Sequence, residues 1–275
     1  MAVPSTNVGF SSIQTEFGGS NPISLSEYYS GGPLVPSGSP APNGPIPSSG
    51  QISVGQFRAA VAAEFVAATG GTVTTSGDFK IHTFTGPGTF TVTNAGNAGG
   101  SNSVSYMVVA GGAGGAANAG GGGGAGGFRE GLGLNDSYTG SPLRSPSGVP
   151  VSAQAYPITV GGGGSGAPGG GRGFDRPESI GGQGSNSVFS TITSAGGGGG
   201  GAGLVPSAPI GIGKSGGSGG GSGNDWPVGT FPGSTGNVPP VSPPQGNGGG
   251  SGTHDASTGN LGGGGGGATS AGGNG

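Results

Sequence analysis

Gly111-Gly112-Ala113-Gly114-Gly115, Gly120 to Gly127, Gly161 to Gly164, Gly196 to Gly201 and Gly262 to Gly267 decide how this chain is read. They fall in residues 111–275, which hold 60 of the 77 glycines of the 275-residue sequence. Two physical states are open to such runs. A flexible Gly/Ser coil is one. The other is a bundle of extended three-fold helices, the polyglycine counterpart of polyproline II, in which bare backbones approach until each N–H meets a neighbour's C=O. Glycine loses more entropy on ordering than any other residue, so composition alone favours the coil. The segments between the runs, 128–160, 172–194, 203–212, 224–245 and 252–261, favour order. They carry apolar, strand-like pieces such as Tyr156-Pro157-Ile158-Thr159-Val160 and Ser187-Val188-Phe189-Ser190-Thr191-Ile192-Thr193. A nine-residue run at roughly 3.1 Å per residue spans about 28 Å, the size of a small domain. The ordered bundle is therefore the expectation. Laid antiparallel, its successive connections alternate between a base and a distal tip.

The rest of the composition narrows the class. Hydrophobic residues are 29% and charged residues 6%, against a usual charged share of about 25%. A conventional core is scarce, so backbone pairing or partners must supply stability. A net charge of -3 leaves no basic stripe for nucleic acid and no polybasic membrane patch. With no cysteine, disulfides and thiolate metal sites are excluded. Met1-Ala2-Val3-Pro4-Ser5 has neither a basic nor an apolar leader region, so export by signal peptide is not expected.

Upstream, residues 1–57 are polar and punctuated by proline and glycine. Ser24 with Glu27, and Ser53 with Gln56, have capping-box spacing, so each marks a helix or a single helical turn. Phe10, Ile13, Phe17, Leu25, Tyr28 and Tyr29 are much apolar surface for so short a piece, and they are the candidates for docking onto another protein. From Ser53 a helix is expected to about Thr69, since Phe57, Ala60, Val61, Glu64, Phe65 and Ala68 keep helical spacing and Gly70-Gly71 ends it. Phe79–Phe84 and Thr89–Thr93 read as a hairpin around Gly86-Pro87-Gly88, and Val104–Ala110 as a more deeply buried third strand. The expected units are thus a docking segment 1–57, a helix with a small β-unit 58–110, and a glycine-rich unit 111–275, mainly β and irregular in class.

No catalytic constellation is legible. His82 and His254 stand alone, and the acidic residues show no paired spacing. Gly211-Ile212-Gly213-Lys214-Ser215 approaches a phosphate loop, but Ala208 replaces its first glycine and Gly216 onwards cannot continue as a helix. Neither an enzyme nor a cofactor is expected. The aromatics of the second half lie between glycine runs, where loops can display them. Tyr138, Arg144, Phe174, Trp226, Phe231 and His254 are the candidates for contacting a partner, whereas Tyr156 and Phe189, in strand-like pieces, are expected to flank the bundle.

Several pieces in order carry a resemblance. Lys80–Thr85 and Gly88–Val92, then Tyr106–Gly112, Gly124–Gly131, Tyr156–Gly161 and Gly184–Phe189 together resemble the glycine-rich domain of bacteriophage tail and fibre proteins. Ile13–Phe17, Ile23–Gly32 and Ile52–Phe57 resemble a short module of phage structural proteins. In architecture the chain is similar to the distal adhesins of T-even-type long tail fibres, which dock by an N-terminal region and meet the host through loops on a polyglycine-helix sandwich. The resemblance implies a virion location at the tail or fibre tip, after synthesis in the host cytoplasm. It implies other tail or fibre proteins as partners, with the chain a homotrimer or a single copy on a trimeric fibre. It also implies a bacterial surface receptor, either an outer-membrane protein or a glycan. The competing expectations are a non-receptor structural virion protein, such as a head fibre or tail accessory protein, and an ice-binding or surface-coating protein, for which the chain lacks a flat repetitive Thr or Ala face.

Overall fold

The structure, a computed structural model, describes residues 2–275 apart from 98, 134, 135, 137, 169–178, 204–207, 225–228, 256 and 258. Strands outnumber helices, and all the strands lie beyond residue 65.

Residues 2–63 build their own core. Helix α1 (Phe10–Phe17) places Ile13 and Phe17 one turn apart and inward, and ends where Gly18 turns to φ 79. The two sequence caps each start a single 3-10 turn, Leu25–Tyr28 and Val54–Phe57. Ser24 Oγ accepts the Ser26 N–H at 3.3 Å, and the Ser53 N–H donates to Gln56 Oε1 at 2.8 Å. Ile13, Phe17, Tyr28 and Phe57 close on Val3, Val35, Ile46 and Ala60. Phe17 and Tyr28 both meet Phe57 edge-on, at 6.1 Å between centroids. Even the proline-rich stretch contributes, through Val35 and Ile46.

The helix expected from Ser53 to Thr69 stops after its first turn. Ala59 takes a left-handed φ of 55, and the chain then runs extended. The Val61 N–H donates to Pro40 O at 2.9 Å, the Ala62 N–H to Glu16 Oε1 at 2.8 Å and the Ala63 N–H to Ser39 Oγ at 3.1 Å. These long-range bonds outcompete a helical pattern whose members serve different surfaces. Phe57 and Ala60 belong to the N-terminal core, while Phe65 is 58% exposed.

Strands β1 (Val66–Thr69), β2 (Thr72–Ser76), β3 (Phe79–Thr83) and β4 (Gly88–Ala95) follow. The strand positions match the sequence reading, but the pairing does not. β3 pairs with β2, in register Thr72 to Thr83, and β4 pairs with β1. The turn that decides this is Gly77-Asp78, with Gly77 at φ 56, which folds β3 back onto β2; Gly70-Gly71, at φ 108 and 64, links β1 to β2 across the two sheets. Gly86-Pro87-Gly88 connects two different sheets instead. The expected strand over Val104–Ala110 is split into β5 (Ser103–Val104) and β6 (Tyr106–Val109). It alternates rather than lying buried: Tyr106 and Val108 face in, Met107 and Val109 face out.

β7 (Phe128–Gly131), β8 (Arg144–Ser145) and β9 (Val149–Pro150) join this layer, β7 against β6 and β9 against β5. β10 (Ala155–Thr159), β11 (Ser187–Phe189) and β12 (Ile192–Ser194) complete a sheet of order β1-β4-β10-β11-β12. Phe90, Tyr156 and Phe189 pack ring on ring under it, with Val92, Tyr106, Val108, Val149 and Val151. Tyr156 and Phe189 therefore flank the glycine unit, as their sequence context implied.

Beyond this base the glycine runs form the expected bundle. Segment 110–117 shows the three-fold period directly. The N–H groups of Ala110, Ala113 and Ala116 donate to Gly127, Gly124 and Gly121, while those of Gly111, Gly114 and Ala117 donate to Ser185, Gly182 and Ser179. The central segment 217–223 donates all seven of its N–H groups, at 2.8–3.1 Å, successively to Gly196, Ala125, Asn247, Lys214, Gly122, Gly250 and Gly211. It also accepts from Ser234, Asn237, Gly263 and Gly266. Its neighbours are thus 121–127, 195–202, 211–214, 233–237, 245–251 and 262–267, a complete hexagonal surround. The pairings lay out three rows: 161–167, 110–117, 121–127, 262–267 and 270–275; then 179–185, 195–202, 217–223 and 245–251; then 211–214 beside 233–237. Each segment runs opposite to the one before it.

Segments 195–202 and 217–223 are buried from end to end and hold nothing larger than Ser218 and Ser222. At the glycines of these segments no Cβ fits. One added at Gly199 would lie 1.9 Å from Gly181 O, and one at Gly221 would lie 2.0 Å from Gly263 O. The α-hydrogen in that direction instead points at the carbonyl, the arrangement of Cα–H···O contacts. Among the described residues, no glycine from 111 to 252 has positive φ; the left-handed positions there are Asn118, Ala119, Ser190 and Asn237.

Candidate functional site

Alternating direction gives the bundle two unlike ends. The base carries β5 to β12, the proline-rich connection 238–244 and the link to residues 2–63. The far end carries 118–120, α2 (Ala208–Gly211), β13 (Gly229–Phe231), β14 (Gly252–Asp255) and β15 (Gly259–Leu261), of which the strands form one small sheet in the order β13-β14-β15.

The sequence candidates divide between these ends. His254 and Phe231 are at the far end. Phe174 and Trp226 lie outside the described residues. Tyr138 and Arg144 are at the base. The Tyr138 ring meets Phe79 of β3 edge-on at 6.1 Å, and Arg144 sits in β8 beside the buried Glu130, whose Oε2 accepts the Ser141 N–H at 2.8 Å.

Phe231 is not displayed. It is 6% exposed and packs with Ala202, Ile210 and Ile212, its ring pressed onto Gly211, where a Cβ would come within 2.0 Å of the ring. It plugs the far end rather than facing solvent. His254 is half-buried, its Nδ1 2.6 Å from Asn260 Oδ1, which also accepts Asn224 Nδ2 at 2.8 Å. Asn224 is fully buried at the end of segment 217–223, so this pair of bonds ties β14 and β15 to the bundle.

The exposed residues of this small sheet are Thr230, Asn260 and Leu261; the Asn260 carboxamide is held by Asn224 and His254, and Thr230 Oγ1 lies 3.3 Å from Thr253 Oγ1. Sequence reading passed over these residues because it looked for aromatics; the non-glycine segments 224–245 and 252–261 were the available signal. Among the described residues no group of His, Asp and Glu is arranged to hold a metal, and no helix is long and apolar enough to cross a membrane.

Of the docking candidates, Ile13, Phe17 and Tyr28 are inside the N-terminal core. The Tyr28 hydroxyl donates to Gly18 O at 2.8 Å, and burial, then the Glu27 charge, raises its pKa above the ordinary tyrosine value. Phe10 is 43% exposed, and Leu25 and Tyr29 are half-buried. Tyr29 lines an open groove of about 750 Å3 with Gly19, Pro22, Glu27, Pro33 and Leu34. Of the docking candidates, Phe10, Leu25 and Tyr29 therefore keep accessible surface.

The family model described as a glycine-rich domain matches residues 83–275, from the end of β3 to the last bundle segment. The chain belongs to that glycine-rich domain family. No curated protein and no solved structure matches it.

Proposed function

We propose that this chain is a non-enzymatic bacteriophage virion protein, a tail-fibre or tail-tip adhesin. In this reading its N-terminal module docks on another tail or fibre protein, and its far end binds a receptor on the bacterial surface. The observation that supports this reading is the asymmetry of the bundle. Its far-end connections hang from a core of backbone hydrogen bonds whose two innermost segments, 195–202 and 217–223, carry no side chain larger than serine, so the sequences of the connections can change without altering what holds the core together. Connections already anchored at both ends also lose less entropy on binding. The base end, tied to β-strands and to the N-terminal module, has no such freedom.

Adsorption competition tests the proposal. The purified chain, added in excess to host cells, is expected to lower adsorption of the parent phage at least about tenfold. A far-end variant combining Thr230→Ala and Leu261→Ala is expected to lose that competition, and Trp226→Ala to weaken it. A base-end variant combining Tyr138→Ala and Arg144→Ala is expected to retain it. Competition lost from the base-end variant and kept by the far-end one would overturn the assignment of ends. No competition by the wild-type chain would favour a structural virion role.

A further inference from the structure

Residues 61–64, which lead from the N-terminal module into the base of the bundle, are held from both sides. On the module side the Val61 and Ala63 N–H groups donate to Pro40 O and Ser39 Oγ, and the Ala62 N–H to Glu16 Oε1. On the bundle side stands Asn97, which follows β4. Its Nδ2 donates to Ala62 O at 2.8 Å, and its Oδ1 accepts the Glu64 N–H at 3.1 Å. A residue in a parallel strand pairs in this way with the two neighbours of the residue opposite, and the Asn97 carboxamide does so around Ala63. The same Oδ1 accepts the Gly99 and Gly100 N–H groups at 3.0 and 3.1 Å, an Asx turn that sets the direction of the amide. The Asn97 and Ser101 N–H groups both donate to Glu64 O, at 3.0 and 3.3 Å.

The two units also interlock without the linking segment. Gly99 and Gly100 are buried, and neither has positive φ. A Cβ at Gly99 would lie 2.1 Å from Pro40 Cδ and 2.8 Å from Gly38 O, and one at Gly100 would lie 2.0 Å from Glu64 O. The Pro40 ring is closed onto its own backbone and cannot swing aside. Gly38 answers from the module, where a Cβ would lie 2.7 Å from Gly99 O. Two units joined by a single stretch of chain ordinarily move against each other unless a large apolar interface holds them. Here closely fitted backbone and one amide take the place of such an interface.

We propose that Asn97 is the pin of a rigid joint, which holds residues 2–63 and the bundle at one fixed angle as a single body. Whatever anchors the N-terminal module then sets the direction in which the far end of the bundle points. The inference does not depend on what that end binds. Removing the pin leaves the Glu64, Gly99 and Gly100 N–H groups without this acceptor. The side-chain core around Phe57 and the backbone pairing of 217–223 involve none of these groups.

Spin-label distance measurement on the full chain tests this. Because the chain contains no cysteine, Ser11→Cys in the module and Ser165→Cys in the bundle, both exposed, take the two labels cleanly. One narrow distance distribution is expected in this background. Adding Asn97→Ala, or Gly99→Val, is expected to broaden it at least about twofold, toward the independent motion usual for small joints. Amide protection around Phe57 and over 217–223 is expected to stay unchanged in both variants. A broad distribution without either substitution would overturn the proposal. So would a distribution that stays narrow in both variants. Loss of protection in either region in both variants would also overturn it, since Asn97 and Gly99 would then belong to the fold of that region rather than to a joint.

Discussion

Residues 2–63 and the bundle of 110–275 use the same residue for opposite purposes. In the first region glycine turns the chain: Gly31 and Gly38, both at φ 82, occupy conformations that other residues resist. The core there is made of side chains, with Phe57 fully buried between Phe17 and Tyr28. In the bundle the left-handed turns go to Asn118, Ala119, Ser190 and Asn237, and glycine fills the straight runs. There its conformational freedom is not used. What matters is the missing Cβ, which lets carbonyl oxygens come to where that atom would stand. One region is stabilised by apolar burial and the other by a nearly complete pairing of buried amides.

The contrast makes the two regions separately breakable. The largest effect is expected from Gly199→Ala, whose Cβ would lie 1.9 Å from Gly181 O, a rigid backbone atom. It is expected to cost more than ~3 kcal/mol and to abolish the cooperative melt of the bundle, read by thermal circular dichroism. Phe57→Ala should come next, with a loss of about 3–5 kcal/mol confined to residues 2–63. Hydrogen exchange is expected to show that region opening while the bundle stays protected.

At the small end, two changes should stabilise. Ser218 Oγ is buried without a hydrogen-bond partner among the described residues, so Ser218→Ala is expected to raise bundle stability by about 1 kcal/mol in chemical denaturation. Gly273→Ala, where a Cβ meets nothing within 4 Å, is expected to gain ~0.4–1 kcal/mol by restricting the unfolded chain. A loss at Gly273 equal to that at Gly199 would mean that glycine content, rather than Cβ exclusion, holds the bundle.

Much of this organisation was legible in the sequence, and the rest was hidden for identifiable reasons. The ordered bundle and the flanking role of Tyr156 and Phe189 follow from apolar pieces set between glycine runs, whereas the alternating direction entered only as a condition. The single turns at Ser24 and Ser53 follow from their caps. The helix over 53–69 failed because its period joined residues that serve two different surfaces. The β3–β4 pairing failed because Gly77-Asp78 makes the hairpin turn, between β2 and β3, that Gly86-Pro87-Gly88 seemed suited to. At the far end, Phe231 looked like a displayed aromatic, but a bundle without side chains needs a plug where its segments end. The register among the glycine segments was out of reach, since identical residues carry no signal for which backbone pairs with which.

The central claim is that the bundle is held by backbone hydrogen bonds rather than being a flexible tether. Amide hydrogen exchange resolved over residues 217–223 tests it most directly. Every N–H there has a partner on a different segment, so the account predicts strong protection at all seven, lost together in one cooperative opening. Exchange at the rate of an unstructured glycine chain across 217–223 would contradict it.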